Sequence, residues 1–298
     1  MVTSFEEKLN SLPNSQLNIT VLILAKNEEK AIAGCIQSVQ DFKQVIVVDS
    51  ASNDKTVEIS KSLGAEVVNF NWNRQYPKRK QWALELKQIR FDWVLFLDSD
   101  ERISDSLRRE IFRFMDKPAT EITAIELPLR YHFSGKPLHS GLKIFKRALI
   151  DRRYCKFPEI DDLSVTNMWE VEGHYQPILS QGKVAKFRNY LDHADPDSLF
   201  QYFDRHNRYS DWEAYLSTNK AAMEQVRLAR TSQGKLFSSV PFKPLLIFFY
   251  SYFCKLGFLD GRAGFDFAIS RSFYYWQIRL KSRQNLQALT SGEGSGHS

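Results

Sequence analysis

The stretch Trp93-Val94-Leu95-Phe96-Leu97-Asp98-Ser99-Asp100-Glu101 runs through five apolar residues without a polar break and then turns acidic. An unbroken apolar run of that length suits a strand covered on both faces, as in a parallel sheet flanked by helices. Such a strand delivers Asp98 and Asp100 to the carboxyl edge of the sheet, where open α/β sheets bind their ligands. An acidic pair there can hold a divalent cation against a phosphate-bearing substrate. The plain alternative is a solvated acidic turn.

The residues before this strand supply the rest of such a sheet. Ile19 to Ala25 predicts a first strand, and Asn27-Glu28-Glu29 opens a helix whose apolar positions Ile32, Cys35, Ile36 and Val39 follow helical spacing. Val45 to Val48 predicts a second strand ending in Asp49. After the polar turn Ser50 to Asp54, a helix runs to about Leu63 and stops at Gly64, and Glu66 to Phe70 makes a third strand. Lys78 to Ile89 is helical again. Strands alternating with helices imply an α/β fold with a mainly parallel central sheet and flanking helices. Further on, Ser104 is an N-cap for a helix through Met115, and Ala124 to Arg130 and Leu142 to Arg147 are strands. Arg152 to Pro177 is irregular and polar, the kind of segment that often binds substrate. Pro196 to about Arg230 is helical.

Composition locates a second feature. Three widely spaced cysteines, Cys35, Cys155 and Cys254, argue against a disulfide framework and a cysteine-rich zinc site. Residues 1–18 lack the apolar core of a secretory signal, so a cytoplasmic location is expected. Between Lys235 and Arg283, eight Lys and Arg face two Asp, a surplus equal to the +6 of the whole chain. That segment also holds 14 of the 40 aromatic residues, a mixture that suits a membrane interface. No uncharged twenty-residue span occurs there, because Lys255 and Gly257 interrupt it. The runs Pro244 to Leu256 and Phe265 to Leu280 therefore predict two interfacial helices joined around Gly257-Phe258-Leu259-Asp260-Gly261. A helical hairpin packed on the main domain, or an oligomer interface, is the competing reading. The expected organisation is an extension at 1–18, the α/β domain at 19–195, a helical extension at 196–234, aromatic and basic helices at 235–285 and a disordered tail at 286–298, Gly/Ser-rich from Ser291.

Three elements at successive strand ends carry a family resemblance: Leu24-Ala25-Lys26-Asn27-Glu28, Val48-Asp49-Ser50-Ala51-Ser52-Asn53-Asp54-Lys55-Thr56 and Leu97-Asp98-Ser99-Asp100-Glu101-Arg102. In this order and spacing they resemble the family 2 glycosyltransferases of GT-A fold, over roughly Ile19 to Trp212. Gly257 to Gly261 looks like the branch that includes lipopolysaccharide-core glucosyltransferases and surface-polysaccharide enzymes.

The resemblance implies a nucleotide-sugar donor across the carboxyl ends of the strands. Leu24, Lys26 and Glu28 would border the nucleoside, although Lys26 departs from the aromatic residue of many relatives. Asp49 would accept from the base, most simply the N3 hydrogen of uracil. Asp98 would contact ribose or metal, Ser99 would line the donor site, and Asp100 would coordinate Mn2+ or Mg2+, with His193 as a third ligand. Lys78, in a basic run with Arg74, Arg79 and Lys80, would face phosphate, and Arg208 would clamp the diphosphate. For the general base that inversion requires, the irregular segment offers Asp161, Asp162, Glu170, Glu172 and His174; Glu172 is the first choice and Asp162 the second.

The expected activity is an inverting, metal-dependent glycosyltransferase at the cytoplasmic face of a membrane. It would move a sugar, most simply from a UDP-sugar, to a lipid-linked or glycolipid acceptor, with an anionic membrane surface as a partner. Two other classes compete. A haloacid-dehalogenase-like phosphatase also places Asp-x-Asp after an apolar strand, but this chain has Arg102 where that pattern wants Thr or Val. A catalytically inactive scaffold of the same fold is the other. No nucleic-acid motif accompanies the positive charge.

Overall fold

The computed structural model describes residues 16–165, 170, 172, 175–194, 196, 198–228 and 242–293. The apolar run beginning at Leu17 forms β1 (Leu17–Ala25), and its side chains alternate between two cores. Val21, Ile23 and Ala25 enter one core with Ile32, Cys35 and Ile36 of α1 (Ile32–Gln37) and Leu107 and Ile111 of α4 (Asp105–Asp116). Leu22 and Leu24 enter the other with Ala83 and Leu84 of α3 (Arg79–Leu84), Phe96 and Phe157. Both faces are thus covered, as an unalternating strand requires. Each fully buried Leu, Ile or Phe contributes about 1.5–3 kcal/mol of transfer free energy.

β1 pairs in parallel with β2 (Phe42–Asp49) on one side and β4 (Trp93–Asp98) on the other, and β3 (Glu66–Asn69) adds in parallel to β2. α2 (Thr56–Ser62) connects β2 to β3. Beyond β4 the sheet changes sense. β8 (Phe145–Asp151) lies antiparallel to both β4 and β6 (Ile122–Phe133). The full order is β3-β2-β1-β4-β8-β6-β12-β5, where β5 is Glu101–Ile103 and β12 is Leu191–His193. β7 (Lys136–Pro137) and β11 (Lys183–Lys186) pair with β6, and a separate ribbon joins β9 (Cys155–Lys156) to β10 (Ile178–Leu179). The parallel β1–β4 core follows the sequence pattern. The mixed half depends on pairings between remote segments that no local pattern encodes.

Ser104 caps α4, its Oγ accepting from Leu107 N at 3.2 Å. The helical extension starts later than Pro196: Ser198 forms a capping box with Gln201, and α5 (Leu199–Thr218) is followed by α6 (Lys220–Leu228). At the amino end, Leu17 and Asn18 belong to β1 rather than to an extension.

The aromatic and basic segment does form a hairpin. α7 (Lys243–Phe249) continues as a π-helical turn over Tyr250–Cys254, and a 3-10 turn over Gly257–Asp260 leads into α8 (Gly261–Glu293). α8 runs well past residue 286, so 286–293 are helical where a disordered tail was expected. Closeness at the turn requires glycine: a Cβ on Gly264 would lie 2.0 Å from the Gly257 carbonyl oxygen. Among the described residues, part of the hairpin packs on the α/β domain. Ala263 and Phe267 meet Phe133 and Leu138, while Asp260 accepts from the backbone N–H groups of His139 and Ser140 at 3.0 and 2.8 Å. Elsewhere on the hairpin Leu245, Phe249, Phe253, Leu259 and Trp276 are exposed. Among the described residues no helix is long and apolar enough to cross a membrane.

Candidate active site

The carboxyl ends of β1, β2 and β4 open on one crevice, and two sequence elements there are braided together. Asn27 N donates to Ser52 Oγ at 2.8 Å and Asn53 N donates back to Asn27 Oδ1 at 2.9 Å. Glu28 N donates to Thr56 Oγ1 at 2.7 Å and Glu29 N to Asp54 Oδ2 at 3.1 Å. Asp54 also accepts from Thr56 N at 2.9 Å, a local side-chain turn that leads into α2. Asn27 and Ala51 adopt positive φ, 58° and 56°, which turns both loops across the strand ends. Much of the polar sequence in these elements therefore shapes the crevice rather than lining it.

Asp49 ends β2, 2% exposed. Its Oδ2 accepts from Ser52 N at 3.0 Å, whereas Oδ1 has no hydrogen-bond partner among the described residues. A buried carboxylate oxygen left without a donor costs about 1–3 kcal/mol, and a bound N–H would recover it. Nearby, Arg79 donates to Ala25 O at 3.1 Å and Ser50 Oγ at 2.7 Å, and its Nε also lacks a partner among the described residues. Lys26, on the outer side, reaches Glu170 at 3.4 Å. Leu24 belongs to the core, its side chain packed under the sheet, so only its backbone can border a ligand.

The acidic strand end is organised around a residue the sequence did not single out. Lys146, near the start of β8, places Nζ 2.9 Å from Asp98 Oδ2 and 2.6 Å from Glu101 Oε2. Glu101 is fully buried and its Oε2 also accepts from Asp98 N at 2.8 Å. Burial pushes the Glu101 carboxyl up to about 7 against the pull of Lys146. At Asp98, burial pushes the same way, but Lys146 and then Lys80 outweigh it and hold the group well below the usual carboxylate range. Ser99, between the two aspartates, is buried.

Asp100 turns the other way. The antiparallel pairing His193↔Glu101 brings β12 alongside β5, and His193 Nε2 lies 3.5 Å from Asp100 Oδ2. A carboxylate and an imidazole at one point suit a first-row divalent ion. The two therefore fit the metal that the sequence implies, with Asp98 at the rim; among the described residues no preformed cluster of three such ligands exists. The His193 ring packs at a 39° tilt against Tyr131, 4.9 Å between centroids, and Tyr131 in turn meets Phe267 of α8 at 5.7 Å. From α5, Tyr209 is near enough to feel the charges of Asp98 and Asp100, though burial is the larger cause of its raised pKa, about 12. Arg208 pairs with Asp204 one turn back on the same helix at 3.0 Å.

Three expectations need correction. Glu172 does not face the crevice: it is 1% exposed, and its two oxygens accept from the backbone N–H groups of Lys80 and Gln81 at 2.8 and 2.9 Å, capping the start of α3. Asp162 is fully buried and accepts from Lys78 Nζ at 2.9 Å, Trp212 Nε1 at 2.8 Å and Tyr76 OH at 2.6 Å, tying the irregular segment to α3 and α5. Both carboxylates are buried and engaged as structural acceptors, which argues against either as the base. Lys78 shares this burial, so phosphate is not its partner; Arg79 and Lys80 are the members of that basic run within reach of the Asp98 charge. His174 lies outside the described residues.

Comparison with known proteins places this geometry. Glycosyl transferase family 2 matches residues 20–168, half of the chain. An uncharacterized glycosyltransferase of Rickettsia felis is 43% identical over 279 residues, which cover 90% of each chain. The lipopolysaccharide core biosynthesis glycosyltransferase LpsC of Rhizobium meliloti is 25% identical over 291 residues, 91% of this chain and 97% of its own. Among solved structures, the mannosyltransferase PcManGT of Pyrobaculum calidifontis, in complex with GDP-Man and Mn2+, superposes with a TM-score of 0.50 over 91% of this chain and 88% of that one, at 14% identity. The last is a likeness of fold.

Proposed function

The chain belongs to glycosyl transferase family 2, and from that premise we propose that it moves a sugar, with inversion, from a UDP-sugar to a lipid-linked or glycolipid acceptor at the cytoplasmic face of a membrane. Membership removes the phosphatase reading. Asp49 carries the donor assignment. With Oδ2 engaged by Ser52, the unpartnered Oδ1 is an acceptor for the N3–H of uracil.

In the transfer, the acceptor oxygen bonds to the anomeric carbon, the bond from that carbon to the diphosphate breaks, and the acceptor proton passes to a base. A Mn2+ or Mg2+ ion bound by Asp100 and His193, with Asp98 at its edge, would neutralise charge on the leaving nucleoside diphosphate. Lys80 adds positive charge on the same side, and Tyr131 keeps the His193 ring oriented from behind.

The acceptor half rests on the hairpin. Its outward apolar residues are interspersed with Lys255, Arg262 and Arg279, a pattern complementary to an anionic leaflet. The lipopolysaccharide-core role named for LpsC is consistent with a glycolipid acceptor.

Calorimetric titration of UDP and GDP, with and without Mn2+, tests the reading on the wild-type chain and on Asp100→Ala. Metal-dependent UDP binding that is lost in the variant is expected. Absence of binding by either nucleotide under all conditions would overturn it.

A further inference from the structure

Lys146 reaches the acidic strand end through the antiparallel pairing of two strands. β4 and β8 run antiparallel, with Trp93 opposite Asp151 and Leu95 opposite Leu149, so the start of β8 lies toward the end of β4 that bears Asp98. The side chain is 12% exposed and bridges Asp98 and Glu101, while Glu101 in turn grips the Asp98 backbone N–H. A cation is therefore covalently built into one side of the acidic motif.

We propose that Lys146 is a positioning residue that serves as a tethered counter-ion of the donor site. It neutralises Asp98, shifts the work of metal ligation to Asp100 and His193, and supplies fixed positive charge for the donor's diphosphate. The proposal rests on the reading of the Asp98–Asp100 strand end as the diphosphate site. Two opposite consequences follow from Coulomb's law. A fixed positive charge beside Asp98 opposes binding of a divalent cation alone and favours binding of a polyanionic nucleotide. Ion and nucleotide then bind best together, and an empty site does not trap metal. A lysine that merely held β8 to β4 would have no reason to move the two affinities in opposite directions.

The test uses the full chain. Mn2+ binding without nucleotide is read from the paramagnetic resonance signal of the free ion, and UDP binding at fixed Mn2+ is read by calorimetry. Lys146→Gln combined with Glu101→Gln is compared with Glu101→Gln alone, in which Lys146 keeps Asp98 as its partner, so that the two chains differ by the one charge of Lys146; Lys146→Arg keeps that charge. Relative to Glu101→Gln, the double variant should bind Mn2+ alone about tenfold tighter and UDP about tenfold more weakly, the order expected for one unit charge a few ångströms away in a partly solvated site. Lys146→Arg should stay with the wild type in both measurements. Affinities that fall together in the double variant relative to Glu101→Gln, or an unchanged Mn2+ affinity between those two chains while the wild type binds UDP, would overturn the role of Lys146 alone. A wild-type chain that binds neither Mn2+ nor UDP would overturn the donor-site reading and this inference with it.

Discussion

Replacing Asp49 by asparagine tests the nucleoside assignment with almost no change of shape. The Ser52 N–H, 3.0 Å from Oδ2, requires an acceptor, so the amide of the variant must turn its oxygen to Ser52. Its NH2 then occupies the place of Oδ1, the oxygen without a partner, and presents a donor where the base presents N3–H. One charge-assisted hydrogen bond is lost and two donors face each other. Hydrogen bonds to charged groups contribute about 1.5–3 kcal/mol, which is about 10- to 150-fold in affinity. Calorimetry with UDP should report a loss in that range, and thermal melting should be little changed because the Ser52 contact survives. UDP methylated at N3 supplies the second arm of a double-mutant cycle: it should bind the wild type as poorly as UDP binds the variant, with little further loss in the variant. UDP affinity within about twofold of wild type in Asp49→Asn would refute the argument that this oxygen recognises the base.

Two further outcomes follow from the loops and the hairpin. Asp54 is held below its usual pKa because burial, which raises it, is outweighed by the Thr56 hydroxyl and by backbone N–H groups. A depressed carboxylate contributes stability above its unfolded pKa and loses it as pH falls through the folded one. Asp54→Ala should therefore cost about 1 kcal/mol at neutral pH and flatten the decline in stability below about pH 4, as read by urea unfolding across pH. On the hairpin, Leu245→Ser with Leu259→Ser removes two of the most exposed apolar side chains. If each buries about half its area in lipid, the pair accounts for about 2 kcal/mol, and co-sedimentation with anionic vesicles should weaken about thirtyfold; unchanged sedimentation would count against the membrane assignment.

The parallel half of the sheet was legible because its signals are local. Each strand is an apolar run, each helix repeats at helical spacing, and Asp49, Asp98 and Asp100 stand where those runs end. Asp100 and His193, 93 residues apart, were also anticipated as partners, through resemblance rather than spacing. What escaped depends on pairings between distant segments. Lys146 enters the site only because β8 runs antiparallel to β4, and a lysine at the head of a strand carries no mark of that register. Glu172 and Asp162 misled for a related reason. A polar, irregular stretch signals exposure, yet these two carboxylates fold inward to satisfy the N–H groups of α3 and the ammonium of Lys78. The basic run was legible as a run, but which of its members turns toward the crevice was decided by that burial.

The grip of Asp260 on the His139 and Ser140 amides has a practical corollary for handling the protein. The loop it holds leads directly into the strand bearing Lys146, so the hairpin is tied to the proposed donor site, and trimming it away is expected to cost donor binding. Deleting it would release that loop, strip the cover from Phe133 and Leu138, and loosen Tyr131 behind His193. Solubility is better sought by repainting the outer face of the two helices residue by residue, leaving Asp260, Gly264 and Phe267 untouched.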